Sequence, residues 1–175
     1  MAIYALGDAV PNIDPTAYVH PDATVIGEVT IGPESSIWPG AVLRADHGQI
    51  IIGARTSIQD GSVLHTTEQW PTVVGDECVV GHLVHLEGCT VANRVLVGSG
   101  SIMLNRSGAE TRSVVGAAAL VAEDMQVPTG HMALGVPAKM RAMPDPSVID
   151  DWITYGVDWY CENAARFAKE LRRID

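Results

Sequence analysis

A parallel β-helix closed by a C-terminal α-helix is what this chain predicts, and two observations carry the prediction. Nineteen aliphatic positions recur on a six-residue period through the first 127 residues, and aromatic residues concentrate at the far end, where the period has stopped. The periodic set opens with Ile13, Val19, Val25, Ile31, Ile37 and Leu43. It resumes after a gap of nine as Ile52, Ile58 and Leu64, and after a gap of ten as Val74, Val80 and Leu86. After one shortened step at Val91 it continues through Val97, Met103, Ala109, Val115, Val121 and Val127. Six matches neither the 3.6-residue period of a helix nor the two-residue alternation of a meander. It suits a short strand and a tight turn, repeated so that one side chain per repeat points inward. Three such repeats make a triangular coil, and stacked coils bury one continuous column. Glycine often follows the inward residue (Gly32, Gly53, Gly75, Gly81, Gly98, Gly116), as a turn requires.

From Pro146 to about Arg173 the spacing becomes helical. Val148, Trp152, Tyr155, Trp159 and Phe167 form the expected core-facing stripe, and Pro144-Asp145-Pro146 marks the start. The expected organisation is residues 1–144 as the β-helix and 145–175 as a helix packed along it. At 175 residues and 47% hydrophobic content, one domain with a small appendage is the natural size. A net charge of −10 and only two lysines, Lys139 and Lys169, argue against nucleic acid or an anionic membrane surface as a partner. No apolar run reaches the ~20 residues of a membrane span. MAIYALGDAV does not read as a signal peptide. Three cysteines without CxxC spacing (Cys78, Cys89, Cys161) fit a reducing, cytoplasmic setting, with Cys78 and Cys89 as packing residues.

Register converts sequence into position. Leu43, Leu64 and Leu86 fall on one face of the prism, so the residues after them, Arg44, His65 and Glu87, stack outward one coil apart, ~4.8 Å between strands. The inserts Ala45–Ile51 and Thr66–Val73 are expected as loops leaving the corner just after that face. His82 falls at the preceding corner, one coil above Asp60 and beside Gln59. His65 and His82 are then roughly 10 Å or more apart, too far to share a metal within one chain. A second copy docked around a threefold axis brings them together. His20, His47 and His131 read as surface residues.

At these residues the sequence resembles the gamma-class carbonic anhydrases of the hexapeptide-repeat family, left-handed parallel β-helix trimers. The matching segments are Arg44-Ala45-Asp46, Gln59-Asp60-Gly61-Ser62-Val63-Leu64-His65, Val80-Gly81-His82 through Gly88-Cys89-Thr90, and Leu134-Gly135-Val136-Pro137-Ala138-Lys139. The resemblance implies a homotrimer that hydrates CO2 reversibly to bicarbonate, using hydroxide generated at a metal held between subunits. It carries metal ligation over to His65 from one subunit and His82 from its neighbour. It makes Arg44 and Asp46 an inter-subunit ion pair, Gln59 a hydrogen-bond partner of solvent on the metal, and Asp60 the acidic companion in that motif. The sequence departs from the family at one ligand: the histidine expected five residues after His82 is Glu87, and a histidine stands instead at His85, so either Glu87 or His85 is expected to fill the third coordination position. His65-Thr66-Thr67-Glu68-Gln69-Trp70-Pro71 also lacks the long acidic insertion some members use to move protons. Two histidines with Glu87 remain a legitimate Zn²⁺ set and also suit Fe²⁺. An anionic ligand predicts weaker hydration at neutral pH. Two other readings compete: an acyltransferase acting on acyl-CoA with His65 as base, and a non-catalytic trimeric scaffold whose site has decayed.

Overall fold

The computed structural model describes residues 2–145 and 147–175. Three flat faces wind about one axis in about 7 turns, forming a left-handed parallel β-helix. The strands are mostly two or three residues long and pair in parallel with the coil above and below. The predicted register holds: Leu43 pairs with Leu64 and Leu64 with Leu86 on the first face. Ile52 pairs with Val74 and Val74 with Val91 on the second. Ile37, Ile58, Val80 and Val97 stack on the third. Of the nineteen periodic residues, all but the partly covered Ile13 are buried, in one column. Apolar side chains filling a shared axis contribute about 1.5–3 kcal/mol each, and coil stacking repeats the gain at each level.

The first insert is a strand rather than a loop. Residues Val42–Ile52 run as one continuous strand round a corner, paired at both ends with Thr24–Ile31 across an irregularity between Gly27 and Val29. These two long strands stitch the first two faces into a single twelve-stranded sheet, leaving the third face as an eight-stranded one. The insertion is accommodated as a bulge: Gly27 pairs with Ala45 and Val29 with Ile50, so Asp46 to Gln49 have no partner on Thr24–Ile31 and the ladder resumes beyond them. The second insert leaves the ladder between His65 and Thr72, as expected.

At the top, Leu134-Gly135-Val136-Pro137-Ala138-Lys139 turns the chain back. Strand Lys139–Ala142 pairs antiparallel with His131–Leu134, and the Val136–Pro137 peptide is cis. The chain then enters one helix, Ser147–Glu170, with Asp145 Oδ1 accepting from the Ser147 amide and hydroxyl. Pro146 lies outside the described residues.

The helix lies across the third face, but not through the predicted stripe. Ile149, Ile153, Val157 and Ala164 are buried, whereas Trp152, Tyr155 and Trp159 are 50%, 73% and 46% exposed. The register is set by the face it meets. Val79, Leu96 and Val114, the outward residues beside inward Val80, Val97 and Val115, offer an aliphatic strip that Ile149, Ile153 and Val157 fill. Gly156 allows the close approach; a Cβ there would lie 3.1 Å from a Val79 methyl. One corner column holds the helix by charge. Glu34, Arg55, Glu77, Arg94 and Arg112, three residues past each inward residue of the second face, stack coil over coil at positive φ. Asp158 accepts from Arg55 at 2.7 Å, and Asp150 pairs with both Arg94 and Arg112 at 3.2 and 3.1 Å.

Candidate metal centre

Arg44, His65 and Glu87 stand in register on three successive coils, as predicted. Five of the predicted residues form one continuous chain of contacts across them. Arg44 pairs with one oxygen of Asp46. His65 Nε2 lies 3.0 Å from the other oxygen, Asp46 Oδ1. His65 Nδ1 then faces Glu87 Oε1 at 3.8 Å, and Glu87 Oε2 accepts from His85 Nε2 at 3.1 Å. Arg44 is the most exposed of the five, and the other four are about two-thirds covered or more. Burial by itself would raise the pKa of Asp46; the His65 hydrogen bond, a backbone hydrogen bond and the Arg44 charge outweigh it and hold the carboxyl below its ordinary range.

Ionised carboxylates only accept hydrogen bonds, so the imidazole nitrogen facing one carries the proton. In His65 the nitrogen at hydrogen-bond distance is Nε2, which leaves Nδ1, 3.8 Å from Glu87 Oε1, without the proton. His82, at the neighbouring corner, is arranged the same way: Nδ1 lies 2.8 Å from Asp60 Oδ2, leaving Nε2 with its lone pair and half exposed. Each histidine thus has one nitrogen committed to a carboxylate and one available, the arrangement that outer carboxylates impose on metal-binding histidines. Gln59, one residue before Asp60, is buried at 4% exposure.

Among the described residues no three His, Cys, Asp or Glu side chains of one chain gather as a metal-binding group. What one chain brings together is one pair of donors, His65 with Glu87. Their 3.8 Å separation is within the sum of one metal–nitrogen and one metal–oxygen bond, about 4.0–4.3 Å. The donor set therefore fits a divalent cation. His20, His47 and His131 stand apart: the side chain of His20 takes the Asp22 amide, that of His131 meets the Thr129 carbonyl, and His47 offers its carbonyl to Thr66. Cys78 and Cys89 are buried, and burial pushes both thiols up to about 12.

Two features eluded the sequence. The 3.1 Å hydrogen bond joins His85 to Glu87, the two candidates for the third position, and only side-chain geometry reveals it. The charged corner column beneath the helix was readable in principle, by carrying the register three residues past each inward residue of the second face.

No protein-family model matches the chain. It is 38% identical over 177 residues to gamma carbonic anhydrase 1, mitochondrial, of Arabidopsis thaliana, covering 96% of this chain and 64% of that protein. It is 40% identical over 146 residues to protein YrdA of Escherichia coli K12, with 79% of each covered. Among solved structures, a hexapeptide transferase family protein from Anaplasma phagocytophilum superposes with a TM-score of 0.90 at 33% identity, over 95% of this chain and 98% of that one. A column of six-residue coils, the Arg44-to-Glu87 stack and these relatives agree, and the chain belongs to the gamma-class carbonic anhydrase-like branch of the hexapeptide-repeat, left-handed β-helix family.

Proposed function

We propose that the protein is a metal-dependent, carbonic anhydrase-like enzyme working as a homotrimer in a reducing compartment such as the cytoplasm. His65 and Glu87 of one protomer and His82 of the next would hold a divalent cation, Zn²⁺ or Fe²⁺. The observation that supports this most is the pair of carboxylate–imidazole contacts, which turn one free lone pair outward at each of two corners that a threefold arrangement would bring together. A bound cation would act as a Lewis acid, lowering the pKa of a water so that it can attack CO2.

The chain's own residues have separable tasks in this reading. Asp46 holds the tautomer and ring orientation of His65, and Arg44 keeps Asp46 ionised. His85 donates to the distal oxygen of Glu87 and presents Oε1 toward His65, so His85 positions Glu87 and does not ligate. Gln59 would offer its side-chain amide to solvent on a bound cation. Glu87 brings a negative charge where the family has a neutral imidazole, which reduces the net charge felt by water there and weakens hydration near neutral pH.

Metal content, sedimentation and CO2 hydration test the reading together. His82→Ala is expected to lose the metal with an unchanged far-UV spectrum. Glu87→His is expected to keep it and hydrate CO2 faster at neutral pH. His85→Ala should keep metal but bind it about 10–100-fold more weakly, as loss of an outer partner does. Purified protein that is monomeric at micromolar concentration and metal-free after growth with added zinc would sink the proposal.

A second reading has its own support in the 33% identical structure named a hexapeptide transferase. The Asp46-backed His65 would then be the general base that deprotonates an acceptor attacking an acyl-CoA thioester. Thermal stabilisation by acyl-CoA, absent with CO2-site anions, would favour it.

A further inference from the structure

A groove of ≈ 250 Å³ lies where the C-terminal helix passes the His82 corner, walled by Trp38, Trp159, Tyr160 and Phe167, with Asp60, His82 and Arg166 among its polar lining. We propose that it binds a small aromatic carboxylate, seated beside the proposed reaction centre. Four features of the groove carry the inference.

Its walls are fixed before any ligand arrives. Trp38 Nε1 donates to Ser36 Oγ and Ser57 Oγ at 2.9 and 3.0 Å, so the indole has no polar demand left. Tyr160 and Phe167 meet Trp38 edge to face at centroid distances of 5.7 and 5.1 Å, and Trp159 meets Tyr160 at 4.9 Å. Stacked edge to face, these rings give the groove an apolar aromatic wall beside Arg166. The volume selects a ligand of modest size: a cavity of about 150 Å³ accepts benzene, so this groove takes one ring with a short substituent.

Charge selects the sign. The Asp60 carboxylate is occupied by His82. Arg55, Arg94, Arg106 and Arg112 are all committed to ion pairs. Arg166 is in none among the described residues, and its guanidinium carbon lies 5.7 Å from the Phe167 ring centroid, at the groove wall. On a chain of net charge −10, an uncommitted guanidinium against an aromatic wall favours a carboxylate whose ring packs on the apolar side.

The ligand class rests on the groove alone. Its relevance to catalysis rests on the proposed metal role of His82, because that residue lines both. A compound held here would lie within reach of water activated at the centre, giving the site a substrate larger than CO2 or an inhibitor of it.

Two of the four tryptophans line the groove, so intrinsic fluorescence reports occupancy without any turnover. Benzoate titrated into the full-length protein in EDTA is expected to quench fluorescence saturably, and benzamide, its neutral counterpart, to bind at least about tenfold more weakly. Arg166→Ala, at an exposed position, should weaken benzoate about tenfold with no change in far-UV signal, while Trp159→Ala should weaken both compounds. Absence of a saturable quench, equal affinity for benzoate and benzamide, or unchanged affinity in Arg166→Ala would each overturn the proposal. Metal analysis of the protein as purified, before EDTA is added, separates the two readings. Metal without benzoate binding removes the groove proposal alone, and benzoate binding without metal leaves the groove and removes the centre.

Discussion

Gly27 illustrates how single positions hold the site in place. It adopts φ +80° at the irregularity beside Val29, and a Cβ built there would lie 2.1 Å from the Ala45 carbonyl oxygen, between Arg44 and Asp46. Neither strand can move without breaking the ladder. Gly27→Ala is therefore expected to destabilise by more than about 2 kcal/mol, read as a lower midpoint in urea, and to weaken any metal binding with it. Cysteines give a second test at this scale. Burial pushes the Cys78 and Cys89 thiols up to about 12 and hides them from reagent, while Cys161 is half-buried on the helix. A thiol reagent in mildly alkaline buffer should label only Cys161 in the folded protein and all three cysteines in denaturant; rapid labelling of Cys78 would contradict the stacking.

The helix is the element whose placement decides the groove. Its aliphatic stripe docks on Val79, Leu96 and Val114, and Asp150 and Asp158 clip it to the arginine column. These pairs are partly exposed and individually weak. Asp150→Ala is expected to cost about 1 kcal/mol, with a coupling to Arg94 of about 0.5–1 kcal/mol in a double-mutant cycle; zero coupling would make the column a surface coincidence. The helix start has a pH dependence of known sign. Hydrogen bonds from the Ser147 hydroxyl and amide hold the Asp145 carboxyl below its ordinary 3.8. A depressed folded pKa contributes stability that is complete above the unfolded value and is lost as pH falls through the folded one. Helical dichroism should thus fray below about pH 4, less so in Asp145→Asn, which still accepts the hydrogen bond but does not titrate.

At the scale of the molecule, the sequence alone determined the coil stack. Inward position, face and neighbour all follow from counting residues on a fixed period, so the vertical row Arg44, His65, Glu87 and the offset corner of His82 could be placed without coordinates. That succeeds because a β-helix has one-dimensional order: each coil contacts only the next, and register propagates. Where counting stopped, so did legibility. The insert Ala45–Ile51 contains no signal that separates a loop from a strand turning a corner; the ladder offered by Thr24–Ile31 decided it. The aromatic residues of the helix suggested the wrong buried stripe, because large apolar side chains were weighed by their own hydrophobicity and not against the aliphatic strip they would meet. Tertiary structure alone decided that Ile149, Ile153 and Val157 turn inward and Trp159 outward, that His85 serves Glu87, and that a groove opens beside His82. Each of these is a contact between segments far apart in sequence, settled by shape and hydrogen-bond direction, which no period along the chain encodes.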